Sequence, residues 1–119
     1  MGLDTSHNCW HGPYGAFHRF RKELGNQIGI DIEQYAQYNK AATLDLRDIE
    51  HDIIPLLNHS DCDGELTVEE SAQIVAGLNA ILKNKKESPG ADTYFWDNII
   101  KFRAGCLEAI SKNEVIEFR

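Results

Sequence analysis

From His59 to Glu70 the chain reads HSDCDGELTVEE, and its acids and glycine fall at the spacing of a calcium-binding loop. A twelve-residue calcium loop takes side-chain oxygens at positions 1, 3, 5 and 12, a backbone carbonyl at 7, and glycine at 6 for the sharp turn. Counting back from Gly64 places Asp61, Asp63 and Glu70 at positions 3, 5 and 12, and gives Glu65 the carbonyl position. Position 1 is then His59, whose imidazole nitrogen is not the hard oxygen that calcium takes. Read as a divalent-cation site for calcium or magnesium, the loop binds weakly. A metal-free reading stands beside it. Asp61, Asp63 and Gly64 make an Asx-rich turn, and Glu70 reaches back to the Thr67 amide in a capping box.

A zinc reading draws on His7, Cys9, His11 and His59, donors that suit a borderline metal, although the paired spacing of structural zinc sites is missing. Cys62 near His59 suggests an activated nucleophile, but Asp61 and Asp63 on either side disfavour a thiolate. An enzyme acting by that route is not expected. Arg19, Arg21 and Arg103 are candidate contacts for an anionic small molecule, weighed against arginines that are merely solvated or paired with acids.

The elements that must position these residues follow from apolar spacing. Tyr14, Phe17, Phe20, Leu24 and Ile28 predict a helix opening at Pro13, a residue tolerated in a first turn. A short helix is expected over 31–38 with Ile32 and Tyr35 inward, and another from Thr43 through Leu44, Leu46, Ile49, Ile53 and Leu56, its last turn disrupted by Pro55. The capping box at Thr67–Glu70 starts a helix through Val68, Ala72, Val75, Leu78 and Leu82 to Lys83. Ser88–Pro89–Gly90 breaks the chain. A final helix follows, with Phe95, Ile99, Ile100, Phe102, Cys106, Leu107 and Ile110 on its apolar face. Val115–Phe118 reads as a strand, and Leu66, at loop position 8 with no second loop to pair with, is expected to draw it in. The fold class is therefore mainly α: four to five helices in one domain spanning 1–119, an EF-hand-like loop, and a two-stranded mini-sheet joining Glu65–Thr67 to Val115–Phe118.

The 119 residues are enough for one hydrophobic core without staples. A net charge of -7 opposes a phosphate backbone, so nucleic acid is an unlikely partner despite the local cluster Arg19, Arg21 and Lys22. The first 30 residues carry a net +1 and the remainder -8, a polarity that serves solubility first. No apolar run is long enough to span a membrane, and the opening lacks a basic stretch followed by an apolar one, which points to a cytoplasmic setting. Three cysteines without a CxxC pair are read as free thiols.

With Asp4-Thr5-Ser6-His7, then Trp10, Gly12, Tyr14, Phe17, Arg19 and Arg21, and later His59-Ser60-Asp61-Cys62-Asp63-Gly64, the chain resembles a group of small uncharacterised proteins encoded by bacteria and their phages. The likeness covers most of the chain. It implies that the opening, the central loop and the Val115–Phe118 segment belong to one design, and that the setting is a bacterial or host cytoplasm. It carries over no reaction. Two functions are expected from the whole: a small binding or regulatory domain with a weak cation in the 59–70 loop, or an interaction protein that binds a host protein or sequesters an anionic small molecule.

Overall fold

The computed structural model describes residues 2–60, 63–83 and 93–119. Four α-helices are described: α1 (Tyr14–Gln27), α2 (Ile54–Leu57), α3 (Val68–Lys83) and α4 (Thr93–Lys112). Four short strands join them: β1 (Gly2–Asp4), β2 (His11–Pro13), β3 (Glu65–Leu66) and β4 (Ile116–Glu117). The radius of gyration, 13.5 Å, is that of a chain this length folded around one core. No described helix is long and apolar enough to cross a membrane.

Helix α1 starts where expected, with Pro13 in extended conformation as its N-cap and Phe17, Phe20 and Leu24 buried. The last two helices form the main helix pair of the fold. Helix α3 begins with both halves of the capping box made: the Thr67 amide donates to Glu70 Oε1 at 2.9 Å, and the Glu70 amide to Thr67 Oγ1 at 3.1 Å. Its buried face differs from the expected one. Ser71, Ile74, Leu78 and Ile81 face inward, while Ala72 is exposed and Val75 and Leu82 are half-buried. On α4, Phe95, Ile99, Phe102 and Cys106 are buried, but Ile100 and Leu107 face outward, 51% and 40% exposed. Trp10, Phe95 and Trp96 all lie in the core.

Residues 31–57 correct the sequence-based expectation. In place of a helix over 31–38 there is one 3-10 turn, Ile32–Gln34, in which the Asp31 carboxylate takes the Glu33 amide. In place of a helix from Thr43 to Leu56 there is a 3-10 turn, Leu46–Asp48, and then the single turn of α2. Side chains divert the backbone donors that a longer helix needs. Asp45 accepts from the Arg47 amide at 2.9 Å and His51 Nδ1 from the Ile53 amide at 3.0 Å. Pro55 consequently sits in the first turn of α2 rather than breaking the end of a helix, since its missing N–H costs nothing there. Leu44, assigned to the apolar stripe, is 51% exposed.

The mini-sheet forms as expected. β3 and β4 pair antiparallel with Glu65 opposite Glu117 and Leu66 opposite Ile116. Ile116 and Phe118 point into the core, and Val115 and Glu117 away from it, as their alternation predicts. A second pair was not expected: β1 and β2 form a hairpin that brackets the Asp4–His11 segment, with Asp4 opposite His11. The tail reaches this hairpin too. The Asp4 amide donates to the Arg119 carbonyl at 3.1 Å, and the Arg119 amide returns a bond to the Asp4 carbonyl at 2.9 Å.

Candidate functional site

Two polar regions emerge, and they are built differently. The first joins the opening segment, the central loop and the tail. Thr5 is buried and its hydroxyl both accepts from the Trp10 amide, at 2.9 Å, and donates to the Trp10 carbonyl, at 3.3 Å. Ser6 Oγ meets His7 Nδ1 at 2.8 Å and accepts the Glu117 amide at 2.9 Å, while His7 Nε2 meets Glu114 Oε1 at 3.0 Å. This serine–histidine–glutamate line has the members of a nucleophile relay. Because Ser6 Oγ also receives a backbone N–H from the tail, its first effect is to tie β4 to the opening. The backbone is bent on both sides of the contact: His7, Asn8 and Asn113 take left-handed conformations, with φ of 61°, 56° and 56°. Sequence spacing did not reveal this line, since Glu114 lies 107 residues from His7.

Cys9 packs into the same region under α4. A Cβ added at Gly105 would meet the Cys9 sulfur and come within 2.8 Å of the His7 carbonyl, so glycine is required for this close approach. The hydrogen bond to Cys9, together with burial, pushes the Cys106 thiol far above its ordinary range. Both thiols are free and buried, and Cys106, with its thiol raised, is a packing residue rather than a thiolate nucleophile.

At the central loop, the histidine that spoils the calcium pattern is a bridging residue. His59 Nε2 reaches across the turn to the Glu65 carbonyl at 3.0 Å, the carbonyl a calcium loop would turn toward its ion. Its Nδ1 meets the Ser60 carbonyl at 2.7 Å, and its ring lies 4.1 Å, centroid to centroid, from that of Phe118. Carbonyl oxygens only accept, so both contacts are hydrogen bonds together when both ring nitrogens carry protons. Gly64 supplies the turn, with φ of 93° and its missing side chain facing the His59 ring. The Gly64 carbonyl accepts the Phe118 amide at 2.9 Å. Glu70 is engaged in the capping box, Asp63 is exposed, and Asp61 and Cys62 lie outside the described residues.

The other candidate ligands are dispersed. His11 carries an 81% exposed side chain 3.5 Å from Asp4, His7 is held by Ser6 and Glu114, and Cys9 is buried against Cys106. Thus His7, Cys9, His11 and His59 do not share a centre. Among the described residues no group of three or more His, Cys, Asp or Glu is arranged to hold a metal ion.

The three arginines occupy three separate places. Arg21 is 3% exposed, lies over the rings of Phe17 and Tyr38 at 4.5 and 5.2 Å, and donates to the His59 carbonyl, fastening α1 to the start of the loop. Arg103 donates from Nε to Asn79 Oδ1 at 2.6 Å, linking α4 to α3. Arg19 is exposed, with no hydrogen bond or ion pair to another described residue.

Arg19 belongs to the second polar region, a cavity of about 160 Å³ between α1 and α4. Ala16, Arg19, Phe20 and Glu23 line it from one face of α1, and Tyr94, Phe95 and Asn98 from the first turns of α4. The rings of Phe20 and Phe95 pack 5.9 Å apart at its wall, and Tyr94, 61% exposed, stands at its rim. Asn98 Nδ2 is buried without a hydrogen-bond partner among the described residues. Glu23 is bonded to the amide side chains of Asn26 and Gln27. A buried donor without a partner is a feature that calls for an explanation. Comparison with protein families, curated proteins and solved structures finds no match for this chain.

Proposed function

We propose that this chain is a small binding domain that takes up an anionic small molecule in the cavity between α1 and α4, with Arg19 as its charge contact. The observation that carries this reading is the coincidence, at one cavity, of a guanidinium without an ion-pair partner among the described residues and the orphaned Asn98 amide. Elsewhere the arginines already have partners. The cavity is small but concave and mostly apolar, with few polar groups, the general character of ligand sites. A ligand that binds only the folded chain stabilises it by about 2.7 kcal/mol at a hundredfold excess over its Kd. Thermal melts across a panel of small organic and inorganic anions should therefore show at least one that raises Tm, with the rise abolished in Arg19→Ala. No rise with any anion, or a rise unchanged in Arg19→Ala, would refute the reading.

A second reading, a weak divalent cation in the 59–70 loop, is favoured by the left-handed Gly64 and by the pairing of Leu66 with the tail. His59 already bridges to the Glu65 carbonyl, so the ion would have to displace it. Calorimetric titration with calcium tests it. Binding in the ~10⁻⁴ to 10⁻³ M class, weakened by Glu70→Ala, supports it, and no heat at millimolar calcium removes it.

A further inference from the structure

The α1/α4 cavity also specifies the class of molecule it would hold. We infer that its ligand is a monocyclic aromatic carboxylate carrying one negative charge, of the size of benzoate or a hydroxybenzoate; this rests on the proposed function above. Volume sets the size, because a cavity of about 160 Å³ is close to the ~150 Å³ that accommodates one benzene ring. Shape and chemistry of the wall set the ring. Phe20 and Phe95 present aromatic surface, and Phe20 is itself backed by Trp10 and Phe102 at 5.2 and 6.2 Å, so the wall is braced by packed rings rather than by mobile side chains. Aromatic pairs prefer offset or edge contacts over such surfaces, and a flat ring meets them with less loss of internal freedom than a flexible chain of equal area. Exposed Tyr94 at the rim is placed to cover a ring once it has entered.

The polar groups then set the charge. Arg19 supplies a planar guanidinium suited to a carboxylate, and Asn98 Nδ2 supplies a buried donor for an oxygen acceptor. Glu23 lines the same cavity, so a dianion such as phosphate would face a stronger like-charge repulsion than a monocarboxylate does. A hydroxyl on the ring would gain Glu23 as an acceptor.

Calorimetric titration of the full chain with benzoate, cyclohexanecarboxylate, acetate and inorganic phosphate separates these elements. Benzoate should bind at least about tenfold more tightly than any of the other three, and Arg19→Ala and Asn98→Leu should each weaken it by about tenfold or more. Both variants should retain the wild-type circular dichroism, so that lost binding is not lost folding. Acetate, cyclohexanecarboxylate or phosphate binding as tightly as benzoate, with dependence on Arg19 kept, would overturn the aromatic class while leaving an anion site in place. Absence of binding by all four while another anion stabilises the chain through Arg19 would overturn it equally. Binding of benzoate that is indifferent to both substitutions would overturn the class and the site together.

Discussion

The region around Thr5, His7, His59 and Phe118 and the cavity between α1 and α4 are both polar inclusions in an aromatic core, yet they treat their polar groups in opposite ways. In the first, hydroxyls, ring nitrogens and carbonyls from three distant stretches of chain bond one another, although the buried indole N–H of Trp10 has no partner among the described residues. In the second, Arg19 and Asn98 line an open cavity. A satisfied buried network holds a structure together and an unsatisfied one costs stability, and this contrast is what the proposed function rests on. The conspicuous residues of the opening and the loop hold the fold. In the proposed function, Arg19 and Asn98 are the residues left for a ligand.

The largest expected effect falls on the tail. Deleting residues 115–119 removes buried Ile116 and Phe118 as well as the bonds to Asp4, Ser6 and Gly64, and should cost at least the ~3–5 kcal/mol of one buried Phe→Ala change. Chemical denaturation of the truncated chain checks it. A truncated chain as stable as the full one would mean that the three stretches are not one unit. Next, Gly105→Ala drives a methyl against Cys9 and the His7 carbonyl and should destabilise by about 1–3 kcal/mol, seen as a lower denaturation midpoint.

How much of this division was legible follows from the range of the interactions involved. Local signals were read correctly: the apolar spacing of Phe17, Phe20 and Leu24 gave α1, and Thr67 with Glu70 gave the start of α3. The pairing of Leu66 with Ile116 was also legible, because a lone loop strand needs a partner and the tail alternates suitably. A helix over 43–56 does not form because Asp45 and His51 bind backbone amides locally, and one over 31–38 does not because Tyr35 turns extended to bridge Leu44; apolar spacing is blind to both. The sharpest motif, the loop, drew attention to His59 as a defect, whereas its ring serves as the bridge between the two sides of the turn. Of the candidate anion contacts, the sequence could nominate Arg19, Arg21 and Arg103 but not show which has no hydrogen bond or ion pair among the described residues. Asn98 carried no signal, since a lone asparagine on a helix is conspicuous only once its amide is seen buried and unbonded.

Smaller effects sharpen the comparison. Thr67→Ala removes half of the α3 capping box and should cost about 0.5–2 kcal/mol in thermal denaturation. Asp45 offers a pH-dependent check outside both regions. The side-chain hydrogen bond from Arg47, with the Arg47 amide and Gln37 adding to it, holds the Asp45 carboxyl well below the usual carboxylate range. Its contribution is therefore complete above the unfolded carboxylate range, near pH 4, and is lost as pH falls through the lower folded value. The Tm difference between wild type and Asp45→Asn should be small at neutral pH and shrink below about pH 4. A difference that grows on acidification would contradict that sign.

The most direct test of the contrast compares two substitutions in ligand-free protein by chemical denaturation: Thr5→Val, which strips the hydroxyl bonded to Trp10, and Asn98→Leu, which replaces the orphaned amide with an apolar group of similar size. Thr5→Val should lower stability by about 1–3 kcal/mol, because the Trp10 amide is left buried without its acceptor, and Asn98→Leu should leave stability unchanged or raise it. A loss for Asn98→Leu as large as that for Thr5→Val would show that the Asn98 amide holds the fold and awaits no ligand.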